Sequence, residues 1–240
     1  VIAGKPTIQV RNATTGAVTV TLVGHTAAIT SLAFSPDKTR LVSGSADMTA
    51  RIWTVADAAA EPVLLEGHTA ALSSVAFAAN GAQVFSGAAD NAIKQWNVAD
   101  GAEVRTIAGH TQAVTSLSVA GAVLASASAD ASLRLWNTAD GAAIRTVSHG
   151  AALSLVRLSA DGKLLASVGA DKVVKLWNAA DGAAIASLQG HAANVTSLGF
   201  SSDSQRLLSC GGADLMVWDA LGNLLEGIAV PSATALLTEF

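Results

Sequence analysis

An all-β architecture of repeated four-stranded antiparallel sheets is predicted by three features of this 240-residue sequence. Five Trp residues recur almost regularly, at Trp53, Trp96, Trp136, Trp177 and Trp218, with intervals of 43, 40, 41 and 41 residues. A His stands 26 to 28 residues before each of them, at His25, His68, His110, His149 and His191, usually in a Gly-His pair. Short apolar runs rich in β-branched and aromatic residues alternate with Gly, Asp, Asn and Pro at turn positions. A fixed period of about 40–45 residues with such marks is the signature of a propeller blade, and the length holds about six of them. The predicted fold is a six-bladed β-propeller.

Each complete repeat divides into four strand signals. In the first, residues 28–35 are the inner strand, 40–45 the second, 49–55 the third and 63–66 the outer one. The turn after the inner strand carries Asp37-Lys38, Asn80-Gly81 or Asp161-Gly162. After the third strand, Asp100-Gly101, Asp140-Gly141 and Asp181-Gly182 supply the left-handed residue of a bulged hairpin. The complete blades span residues 24–66, 67–108, 109–148, 149–189 and 190–230. A sixth, composite blade takes residues 1–23 and 231–240. In it, residues 1–4 match a second strand, 7–12 a third and 17–23 an outer one, while 233–240 match the missing inner strand. This arrangement closes the ring and leaves no large sheet edge unpaired. The alternative is a piece of a seven-bladed ring.

The Gly-His and Trp-Asp marks resemble the WD-repeat β-propeller family, and the resemblance covers essentially the whole chain. It implies that four residues per repeat form a buried hydrogen-bonded tetrad. The matching sets are His25, Ser43, Asp47 and Trp53; His68, Ser86, Asp90 and Trp96; His110, Ser126, Asp130 and Trp136; His149, Ser167, Asp171 and Trp177; and His191, Ser209, Asp214 and Trp218. A Ser-His-Asp set also reads as a hydrolase triad. Here it recurs with a Trp attached and without a Gly-x-Ser-x-Gly elbow, so no residue is assigned a catalytic role. Two repeats depart from the pattern. His149 follows Ser148 instead of Gly, and Asp214 lies five residues after its Ser and four before its Trp, where the other repeats have four and six.

Composition narrows the function. All five His residues are used by the repeats, and Cys210 is the single cysteine, so no metal site or cofactor is expected. Turns and tetrads account for 12 of the 18 acidic residues, which leaves no catalytic carboxylate pair indicated. The 14 Lys and Arg are scattered and the net charge is −4, against nucleic-acid binding. No apolar run reaches the ~18 residues of a membrane span. The chain reads as soluble with a lean to the cytoplasm, and its Ala-rich, Lys-poor style as bacterial. It begins without Met inside a strand-like run, which reads as a processed product or a module of a larger protein.

The expected function is a non-enzymatic, rigid scaffold for protein–protein interaction. The alternatives are a self-assembling or purely structural propeller, and a small-ligand binder at the channel mouth. The turns that carry the Gly-His pairs and tetrad Asp residues are Ala-rich and poor in hot-spot residues, which directs partners to a side or the bottom. One polar pair stands apart. Arg157 and Glu239 fall at equivalent inner-strand positions two blades apart, across Gly199, as a channel or clasp pair. Arg51 and Arg134 on third strands, and Arg105 and Arg145 on outer strands, read as charges of a solvated blade edge, with a lateral binding site as the alternative.

Overall fold

The computed structural model describes residues 6–229, and among them every regular element is a β-strand. They form five four-stranded antiparallel sheets and one two-stranded sheet. The chain is an all-β protein of the six-bladed propeller class. In the first full blade the strands are Ile29–Phe34, Arg40–Ser45, Ala50–Thr54 and Val63–Leu65, hydrogen-bonded in chain order from inner to outer. The other inner strands are Leu72–Phe77, Val114–Ala120, Leu153–Leu158 and Val195–Phe200. The two-stranded sheet pairs Thr7–Arg11 with Val18–Val23. The segments 1–4 and 233–240, assigned by sequence to the same blade, lie outside the described residues.

The contacts group the chain into two compact units, Val1–Gly109 and His110–Phe240. In the first unit, Ile8 and Leu22 of the two-stranded sheet pack on Leu41 and Trp53 of the first full blade. Val42 and Ile52, on that blade's other face, pack with Val75, Val84 and Trp96 of the second. In the second unit, Ala125, Leu133 and Leu135 meet Val156, Leu165 and Trp177. Val168 and Leu176 in turn meet Leu198, Leu207 and Trp218. Each full blade's second strand is buried over five consecutive residues. A strand covered on both faces has no solvent side to alternate with, which is why a chain 51% hydrophobic reads as runs. Burying each Leu, Val or Ile side chain this way contributes about 1.5–3 kcal/mol.

Between second and third strands a tight turn places a residue in the left-handed region just after the tetrad Asp: Met48, Asn91, Ala131 and Lys172, with φ of 63–70°. Asn tolerates this region, whereas an Ala Cβ meets the following carbonyl at a cost of roughly 1–2 kcal/mol. Glycine relieves that contact but gives back part of the gain through the entropy of the unfolded chain. Ala131→Gly is therefore expected to raise stability by up to about 1 kcal/mol, seen as a higher urea midpoint with an unchanged slope. A lower midpoint would contradict the strain at this turn.

Candidate functional site

The candidate site is the polar set that the repeats bring together. In the first repeat, Ser43 on the second strand lies opposite Arg51, two residues before Trp53 on the third strand. The Trp53 indole N–H donates to Ser43 Oγ at 2.8 Å, Ser43 Oγ lies 2.7 Å from His25 Nε2, and His25 Nδ1 lies 2.8 Å from Asp47 Oδ2. One direction of donation satisfies every member: indole N–H to hydroxyl, hydroxyl O–H to Nε2, and Nδ1–H to carboxylate. Asp47 also accepts the Thr26 amide at 2.9 Å and the Thr49 amide at 3.0 Å, so it ties the Gly-His loop to the neighbouring hairpin.

The second and third repeats copy this geometry. Ser86 lies 2.7 Å from the Trp96 indole and 2.8 Å from His68, which lies 2.8 Å from Asp90. Ser126 lies 2.8 Å from the Trp136 indole and 2.7 Å from His110, which lies 3.0 Å from Asp130. Burial drives His25 and His110 below the ordinary imidazole value, and the Asp hydrogen bonds only partly oppose it. Burial works to raise Asp47 and Asp130. Hydrogen bonds from Thr49, Thr26 and His25, and from Ser132, Thr111 and His110, outweigh it and hold both carboxyls far below their usual range.

In the fourth repeat the imidazole is turned over. His149 Nδ1 faces Ser167 Oγ at 2.9 Å, and Nε2 faces Asp171 Oδ1 at 3.3 Å. The backbone also differs here: Gly67, Gly109 and Gly190 precede their His at φ of 148–157°, whereas Ser148 precedes His149 and the positive φ falls after the His, at Gly150 with 94°. Lys175 donates to the His149 carbonyl and also pairs with Asp171 at 3.8 Å. Asp171 is 30% exposed, against 7–11% for Asp47, Asp90 and Asp130.

The fifth repeat corrects the sequence assignment of Asp214. Ser209 accepts the Trp218 indole at 2.9 Å and lies 2.7 Å from His191 Nε2, but Asp214 makes no hydrogen bond to His191. This repeat is one residue shorter between Ser and Trp. Gly211 pairs directly with Asp214, which leaves the two-residue hairpin loop Gly212-Ala213 with Gly212 at φ 61°. The longer turn that carries the carboxylate elsewhere is gone, and Asp214 becomes a strand residue. His191 stays buried, and its Nδ1 has no hydrogen-bond partner.

Arg157 donates to the Val156 carbonyl at 2.9 Å and reaches Ser116 Oγ of the preceding blade at 3.4 Å, while Glu239 lies outside the described residues. The third-strand cations sit half-buried against the tetrads instead of standing in solvent. Lys94 Nζ lies 5.9 Å from the Trp96 ring and 2.7 Å from Glu103, and the Arg134 guanidinium lies 5.9 Å from the Trp136 ring. Their shared offset of two residues before Trp was the available signal. Cys210 is buried, and burial pushes its thiol up, away from nucleophilic character. No group of three or more potential metal ligands occurs among the described residues. No helix among them is long and apolar enough to cross a membrane.

Chemically, the Ser hydroxyls are placed unlike nucleophiles. All five are 0% exposed, and each oxygen is occupied by an indole N–H. Fold and site together define a repeat-built propeller with a buried polar hub in each four-stranded blade. The chain belongs to the WD40 family: the model for the WD domain, G-beta repeat, matches residues 16–54, 62–97, 101–137, 141–178 and 182–219. WD40 repeats typically mediate protein–protein interaction, and the family is generally non-enzymatic. No curated protein matches the chain.

Proposed function

We propose that this chain is a non-enzymatic, rigid scaffold for protein–protein interaction, whose His-Ser-Asp-Trp sets hold the blades together and do no chemistry. The observation that carries the reading is the burial of every hub Ser beneath a Trp indole. A triad nucleophile has to meet a substrate carbonyl, with its oxygen free to attack. These hydroxyls are buried acceptors in a network that fixes the turns around them.

The test is a cross-linking pull-down with the whole chain as bait in a lysate of its source, with the linked residues mapped. The expected result is a reproducible partner whose links cluster on one face. Recovery of the bait alone would overturn the scaffold reading in favour of self-association. Labelling of a hub Ser by a serine-hydrolase probe would overturn the non-enzymatic part.

A further inference from the structure

The fifth blade keeps a hub whose carboxylate is gone. In three sister repeats one Asp oxygen receives two donors, the His ring N–H and the amide of the next residue (Thr26, Thr69 or Thr111, each at 2.9 Å). In the fifth, Ser209 accepts from Trp218 and lies 2.7 Å from His191 Nε2, the same contact as in the sister hubs, where the hydroxyl donates and Nδ1 carries the proton. His191 Nδ1 is buried and unpartnered. An unmade hydrogen bond of this kind is costly wherever it persists. The Ala192 amide follows His191 as the Thr amides follow their His. A Cβ at Gly211 would stand 3.0 Å from both His191 Nδ1 and the Asn194 carbonyl, so residue 211 itself has no room for a side chain that would partner the ring.

Two further features surround this hub. Lys172, on the left-handed turn of the fourth blade, crosses to the fifth and donates to the Ala192 carbonyl at 3.0 Å. A cleft of about 430 Å³ opens between the same two blades, lined by Gly169 and Ala170 on one side and by Asn194 and Thr196 on the other. An exposed ammonium, a loop amide and a buried imidazole thus stand along one loop, and Asn194, three residues beyond His191, lines the cleft.

We propose that the His191 hub and Lys172, where the fourth blade meets the fifth, bind a carboxylate supplied by a partner protein, an Asp or Glu side chain that takes the place of the missing hub Asp. Lys172 draws the anion to the rim, and the oxygen that enters pairs with His191 Nδ1 and the Ala192 amide as Asp47 Oδ2 pairs with His25 and Thr26. This departs from the Ala-rich turns' blandness at one blade only. The inference rests on the scaffold reading and names the chemistry of the partner group.

The probe is sodium formate, titrated into the labelled full chain at constant ionic strength with chloride as control, while long-range proton–nitrogen correlations report all five His rings. The expected result is a saturable shift confined to His191, weakened several-fold in Lys172→Ala. A second variant replaces residues 211–213 with the four-residue Ala-Ala-Asp-Asn turn of the second repeat and so supplies the carboxylate in cis. Its His191 resonances should already sit near the bound position and ignore formate. The proposal is overturned if His191 of the parent does not move, if all five rings move alike, or if Lys172→Ala responds like the parent. The titration needs no partner protein, so its failure would leave the scaffold reading to the pull-down.

Discussion

Ser126→Ala is expected to destabilise the protein by about 2–6 kcal/mol, whereas Asp214→Ala should stay within about 0.5 kcal/mol of the parent. Ser126 is fully buried and holds both the Trp136 indole and His110. Its loss leaves two buried polar groups unpaired, each costing about 1–3 kcal/mol, and frees the imidazole that positions Asp130. Asp214 is chemically the same residue type as Asp130, but it sits in a strand with no bond to its His. Urea unfolding of both variants checks the contrast. Equal losses would mean that Asp214 holds His191 after all, and a neutral Ser126→Ala would remove the hubs from the account of stability.

The second large effect is loss of stability in mild acid. Burial holds His25, His110, His149 and His191 below the ordinary 6.5. The unfolded chain therefore takes up protons first, and stability that is complete above about pH 6.5 falls as pH drops through that value. Each ring shifted by one unit contributes roughly 1.4 kcal/mol. Asp47, Asp90 and Asp130 are held below 3.8, so their contribution is present above that pH and is lost as pH falls further. Both sets push the same way. The urea midpoint should fall clearly from pH 8 to pH 5 and again towards pH 4. A midpoint that is flat between pH 8 and pH 5 would show that the rings are neither buried nor neutral in the fold.

The sequence made the period, the strand order and the hub membership of four repeats legible, because one Ser, one His and one Trp recur in register with the sheet. What it hid were consequences of single-residue changes. A one-residue deletion between Ser209 and Trp218 converts a turn into a two-residue hairpin, and the Asp that still reads as a hub member moves into a strand. In the fourth repeat, where Ser148 stands in place of Gly before His149, the hub composition is intact but the ring is turned over. Arg51 and Arg134 look like edge charges in sequence, yet the pairing that puts them opposite Ser43 and Ser126 brings them against the tetrads. Each of these is set by backbone conformation or by which face of a strand a side chain takes. Residue type alone does not carry that information.

The central claim, that the recurring Ser residues are acceptors inside structural hubs, is tested most directly by hydrogen exchange at the five Trp indole N–H groups. All five indoles donate to a buried Ser Oγ at 2.7–2.9 Å. The account predicts five resolved indole resonances that exchange slowly, with Trp136 alone becoming fast in Ser126→Ala. Indole protons that exchange at once in the parent chain would contradict it, because the Ser hydroxyls would then be open to solvent and free for other work.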